Sequence, residues 1–94
     1  MKIDFTKIAH KELSNFKKYD KNTANKIYKI IEDIVNNGSL DGIGHPEQLK
    51  YYKNPPRFSR HINKYDRLVY SIDIDIDIDN NILLIISCKG HYED

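Results

Sequence analysis

Residues 67–78 alternate with period two. Leu68, Tyr70, Ile72, Ile74, Ile76 and Ile78 fall on one side, with Arg67, Val69, Ser71 and three aspartates on the other, and Asp79 continues the pattern. Successive side chains of a strand point to opposite faces, so this is a strand with one buried face and one charged face. Asn80-Asn81 then suits a hairpin turn, and the apolar run 82–88 reads as a returning strand buried on both sides. The isoleucine face needs a second layer of structure to cover it. The aspartates of 72–79 do not converge on one cation when spaced along a flat strand, and read instead as charges that discourage edge pairing.

The covering layer is written upstream. After a short strand at 2–5, Thr6 can cap a helix to about Tyr19, with Ala9, Leu13 and Phe16 as its apolar stripe. A break at 20–22 precedes a second helix, restarted by Asn22 or Thr23, that runs to about Asn36. Its stripe is Ala24, Ile27, Tyr28, Ile31, Ile34 and Val35, and Asn36-Asn37-Gly38 ends it. Residues 38–56 read as a long irregular segment, of the kind that carries function in compact domains. Residues 58–62 read as a strand and 63–66 as a turn. The whole is an α+β domain: two helices packed on one face of a mainly antiparallel sheet.

Ninety-four residues make one domain with a small core, so a site should be an open cleft rather than an enclosed pocket. No apolar run approaches a membrane span and the N-terminal residues lack a signal-peptide core. The single Cys88 excludes an internal disulfide framework and suggests a cytoplasmic home. As the fourth member of the set 82, 84, 86 and 88 it reads as core filler. The net charge of +1 hides an uneven distribution. Residues 1–36 carry +3, residues 45–70 carry +4, and residues 71–94 carry −5. The basic middle is interleaved with Tyr51, Tyr52, Phe58, Tyr65 and Tyr70, which suits a nucleic-acid surface where cations meet phosphates and rings stack on bases. The same composition also suits a solvated loop with ordinary core aromatics.

Three residue types stand out chemically: Glu47 in the Gly/Pro-bounded segment, Arg67 opening a strand, and His91 in the pair His91-Tyr92. A carboxylate, a guanidinium and an imidazole can move protons around a phosphate without a metal. Alone, the His-Tyr end reads as a frayed tail. A hairpin turning at Asn80-Asn81 with matched register and no bulge would bring Arg67 near His91, with Lys89 and His91 on the face opposite the helices.

The segments Gly42-Ile43-Gly44-His45-Pro46-Glu47-Gln48-Leu49-Lys50, Phe58-Ser59-Arg60-His61-Ile62, Arg67-Leu68-Val69-Tyr70, Leu84-Ile85-Ile86-Ser87-Cys88 and His91-Tyr92 resemble, in order and spacing, the YoeB/Txe branch of the RelE superfamily. These are toxins of bacterial toxin–antitoxin pairs. The resemblance covers about residues 23–92 and implies a RelE-like microbial RNase-type fold. It implies an endonuclease that cleaves messenger RNA in the ribosomal A site, with no metal or cofactor. Position by position, it makes Glu47 the general base, Arg67 the stabiliser of phosphorane charge, His91 the general acid and Tyr92 the residue that orients substrate. Lys50, Arg57, Ser59, Arg60, His61 and Lys89 form the expected RNA-binding set. The implied partners are the ribosome and its message, a second copy in a homodimer, and an antitoxin of the YefM/Phd type. Rival readings are a catalytically weakened binding module for antitoxin or operator, and a gyrase poison like the related ParE branch. The chain departs from the family pattern in four places: Glu93 and Asp94 follow the His-Tyr pair, His61 replaces an arginine, Phe58 replaces a tryptophan, and the 72–79 arm is longer.

Overall fold

The computed structural model describes residues 1–75 and 80–90. Strand β1 (Lys2–Phe5) leads into α1 (Lys7–Tyr19) and α2 (Lys21–Asn37), followed by β2 (Glu47–Lys53), β3 (Pro56–His61), β4 (Arg67–Asp75) and β5 (Asn80–Ser87). The strands form one sheet in the order β1-β5-β4-β3-β2, antiparallel except where β1 runs parallel to β5. Both helices pack on one face, burying Ala9, Leu13, Ala24, Ile27, Ile30, Ile31 and Ile34 against Phe58, Leu68, Tyr70, Leu83, Ile85 and Cys88. Tyr28 and Val35, assigned to the α2 stripe from sequence, sit at its margin and are exposed, while Ile30 fills the centre.

Side-chain oxygens set the helix starts. Thr6 Oγ1 accepts the Ala9 N–H at 3.1 Å and donates to Ile86 O at 2.7 Å, so one hydroxyl caps α1 and ties it to β5. The second helix is restarted by Asp20 rather than by Asn22 or Thr23. The Asp20 N–H closes α1 on Phe16 O, and its carboxylate accepts both the Thr23 N–H and the Thr23 hydroxyl. A carboxylate serves better there because it takes two donors at once.

The segment read as irregular contains strand β2, at the sheet edge. Leu49 is the residue of β2 that is fully buried, so an edge strand formed here with almost no apolar alternation to announce it. The main hairpin also differs. Asp75 pairs with Asn80 and Ile74 with Asn81, so both asparagines belong to β5 and not to a turn. Residues 76–79 of the Ile-Asp arm lie outside the described residues.

A β-bulge further changes the expected register. Tyr70 pairs with Ile85 but Val69 pairs with Ser87, leaving Ile86 as the extra residue of β5. Before it, Leu83 and Ile85 face the helices; after it, Cys88 does. Cys88 is core filler as expected, but in company with Leu83 and Ile85. Burial, with Glu12 and Asp66 nearby, pushes its thiol up to about 12.

Candidate active site

The open face of the sheet carries the candidate chemistry. Glu47 begins β2 opposite Ser59, Ser59 lies opposite Val69, and His61 lies opposite Arg67. By strand alternation these side chains share the face away from the helices. Arg67 reaches across β3, its Nη1 donating to Glu47 Oε1 at 3.0 Å. The guanidinium is mostly sunk, with 16% of its side chain exposed, whereas the Glu47 side chain is 57% exposed. This is the geometry of a held cation beside a carboxylate that solvent, or a substrate, can reach. Ser59 forms buried floor between Glu47 and Val69. The His45 and His61 rings meet edge to face with centroids 5.7 Å apart, adding a second imidazole beside Arg67.

Arg67 leans on Glu47 and not on its neighbour Asp66, whose oxygens are already committed. Asn63 Nδ2 donates to Asp66 Oδ2 at 3.1 Å, and the Gly90 N–H donates to Asp66 Oδ1 at 2.8 Å. The Arg67 N–H in turn donates to Gly90 O at 3.1 Å. The chain at Gly90 is thus fastened at the start of β4. His91 and Tyr92, expected as acid and orienting residue, lie outside the described residues, as do Glu93 and Asp94.

The expected RNA-binding set is divided. Lys50 is exposed on β2. The Arg57 guanidinium stacks over the Tyr52 ring at 4.4 Å, a cation–π pair on the β2–β3 hairpin. Lys89 is not brought to Glu47 and Arg67. Beyond the bulge and the end of β5 it runs beside α1, lining a shallow cavity with Glu12, Asn15, Phe16, Tyr19 and Asp20.

Arg60 is the main correction. It shares parity with Phe58, faces the helices, and is 0% exposed. Its Nε donates to Tyr70 Oη at 2.9 Å, its Nη1 to Asp33 Oδ2 and to Ile43 O at 3.1 Å, and its Nη2 to Gly38 O at 2.7 Å and Asp41 O at 2.8 Å. A guanidinium has five N–H donors, and all are taken. This cation cannot hold a phosphate; it holds residues 38–43. The Arg60 hydrogen bond draws the Asp33 carboxyl below its ordinary range, against the opposing effect of desolvation and with help from Ile43 N–H and Asn37. Burial pushes the Tyr70 phenol upward, and Tyr70 Oη donates onward to Ser39 O at 2.6 Å.

That network positions Glu47. From the loop pinned by Arg60 the chain passes Gly44, whose carbonyl accepts the His61 N–H at 2.7 Å and which has φ of 83°. A Cβ there would lie 2.9 Å from His61 O, so glycine lets the loop close onto β3 just before β2 begins. Sequence reasoning missed this role. The available signal was parity: Arg60 alternates with Ser59 and His61 and falls on the Phe58 side.

Among the described residues no three His, Cys, Asp or Glu side chains converge as a metal site, and no helix is long and apolar enough to cross a membrane.

No curated protein matches the chain by sequence. Solved structures do. A YoeB dimer from Staphylococcus aureus is 40% identical with TM-score 0.83, the match covering 98% of each chain. A YoeB/ParE toxin from Agrobacterium tumefaciens is 26% identical with TM-score 0.85, covering 98% of this chain and all of that one. A heterotetrameric YoeB-YefM toxin-antitoxin complex from Staphylococcus aureus is 37% identical with TM-score 0.79, again over 98% of each chain. The family model for the YoeB-like toxin of bacterial type II toxin-antitoxin systems matches residues 5–92, a span that takes in both helices, strands β2 to β5, Glu47, Arg67 and the clamped segment at Gly90. The chain belongs to the YoeB-like toxins of bacterial type II toxin–antitoxin systems.

Proposed function

We propose that this toxin is a ribosome-dependent endoribonuclease that cleaves messenger RNA in the A site by acid–base chemistry. The observation that carries the reading is the Arg67–Glu47 pair on the open sheet face, beside the point where Gly90 is fastened to the start of β4. Glu47 takes the proton of a ribose 2′-OH, and the 2′-oxygen attacks the adjacent phosphorus. Charge building on the equatorial oxygens is stabilised by Arg67, a preorganised and largely desolvated cation. The bond from phosphorus to the 5′-oxygen breaks, and His91 donates a proton to that leaving oxygen while Tyr92 orients the substrate. The products are a 2′,3′-cyclic phosphate and a free 5′-OH. Base and acid act on opposite sides of phosphorus, each contributing about 10²–10⁴-fold. Every atom and proton balances with these groups alone.

Exposed Lys50 and the Arg57–Tyr52 stack support RNA contact at the β2–β3 hairpin, where a cation and a ring sit together. His61, beside Arg67, would add a cation only when protonated. Similarity to a YoeB dimer and to a YoeB-YefM complex supports a homodimer and a YefM-like antitoxin as partner. Action on ribosomes, and with it a cytoplasmic location, is part of the proposal. Expression without antitoxin should arrest growth, and primer extension on ribosome-bound message should show cuts at initiation regions. Glu47→Ala and His91→Ala should each relieve the arrest and reduce cleavage to a slow residual rate, with the fold intact. Arrest with intact message and inhibited gyrase would instead support the ParE-like reading.

A further inference from the structure

We propose that Asp66 is a positioning residue for the acid: it fixes the segment from which His91 departs, and so sets the distance between acid and base. The inference rests on the nuclease reading and extends it to a residue that performs no proton transfer.

Three hydrogen bonds fasten the backbone of residues 88–90. Glu12 Oε1 on α1 accepts the Cys88 N–H at 2.9 Å, Asp66 Oδ1 accepts the Gly90 N–H at 2.8 Å, and the Arg67 N–H donates to Gly90 O at 3.1 Å. Gly90 has φ of 90°, so the chain turns sharply where the clamp grips it. Asp66 is itself held. Its N–H donates to Asn63 Oδ1 at 2.8 Å, its carbonyl accepts the Ile62 N–H at 3.0 Å, and its Oδ2 accepts from Asn63 Nδ2. The carboxylate is thus built into the turn between β3 and β4, one residue before the cation of the site. Gly90, the last described residue, is thereby held against the backbone of Arg67, one peptide bond before His91 in the sequence. The clamp has a second consequence. With both its oxygens engaged, Asp66 does not compete with Glu47 for the Arg67 guanidinium.

The test is single-turnover cleavage of ribosome-bound message by Asp66→Ala and Asp66→Asn, each also made in a His91→Ala background, alongside hydrogen exchange at the Gly90 amide. Asp66→Ala should strip protection from Gly90. It should also slow cleavage by about 10²-fold, the cost of a misplacement near 1 Å, with ribosome binding unchanged. Asp66→Asn keeps an acceptor for Gly90 and should restore most of the rate. In the His91→Ala background Asp66→Ala should cost nothing further, because a positioning residue acts only through the group it positions. A wild-type rate for Asp66→Ala overturns the proposal, as does an equal loss in both backgrounds or a loss of binding at unchanged rate. Absence of cleavage by the unmodified toxin overturns the nuclease reading and the role of Asp66 with it; Gly90 exchange then still reports whether the clamp exists.

Discussion

Replacing Arg60 separates a structural cation from an RNA-binding one. Arg60→Ala removes five hydrogen bonds from a fully buried guanidinium and leaves Asp33, Tyr70 and the carbonyls of Gly38, Asp41 and Ile43 without their shared donor. Breaking a buried, hydrogen-bonded ion pair by deleting one partner costs about 3–5 kcal/mol. For a domain of this size each kcal/mol moves Tm by about 4–8 °C, so the melt should drop by at least about 12 °C. Arg60→Lys should recover little, since an ammonium offers three donors from a point and cannot span five acceptors. The assay is thermal unfolding followed by circular dichroism, with RNA binding measured on the fraction that remains folded. A melt within about 3 °C of the parent, well under the shift for 1 kcal/mol, together with weakened RNA binding, would refute the reasoning and return Arg60 to the RNA surface.

Other expectations follow from the same contacts. Gly44→Ala places a Cβ 2.9 Å from His61 O at positive φ and should cost about 1–3 kcal/mol in urea titrations, with cleavage reduced because the loop delivers Glu47. Thr6→Ala removes the α1 cap and its bond to Ile86 O, and should lower stability by about 0.5–2 kcal/mol by the same measurement. Asp20 is held below the ordinary carboxylate value of 3.8, first by the Thr23 hydroxyl and then by the Thr23 N–H, and Asp33 is held below it by Arg60. A depressed folded value means the unfolded chain binds more protons. The stability these groups supply is therefore complete above 3.8 and lost as pH falls through the folded values, and Asp20→Ala should flatten that acid limb of Tm against pH. Cys88, buried with its thiol pushed up to about 12, should resist alkylation at pH 8 until the protein unfolds, which mass spectrometry would follow.

Much of the fold was legible because two periodicities were clean. Ala9 and Leu13, then Ala24, Ile27, Ile31 and Ile34, gave the helices, and Leu68 and Tyr70 gave the buried side of β4. What escaped had little apolar signature. Strand β2 is polar because an edge strand buries one side chain, Leu49. The bulge at Ile86 inserts an isoleucine into a run of isoleucines, and composition carries no trace of it. Arg60 looked like a phosphate ligand because its acceptors are backbone carbonyls 17 to 22 residues away, on a loop without periodicity. In the candidate site, Glu47 and Arg67 were legible through motif resemblance and the structure joins them in an ion pair. Asp66 was not, since an acid beside an arginine reads as its ion-pair partner until Gly90 is seen to occupy it.

The central claim is that the 2′-oxygen of the substrate is the nucleophile, activated by Glu47. Its most direct test is cleavage of a ribosome-bound message carrying one 2′-deoxy nucleotide on the 5′ side of the scissile phosphate. The account predicts that this message stays intact at that position while the all-ribose message is cut to a 2′,3′-cyclic phosphate. Equal cleavage of both would contradict it, because another nucleophile would then be at work.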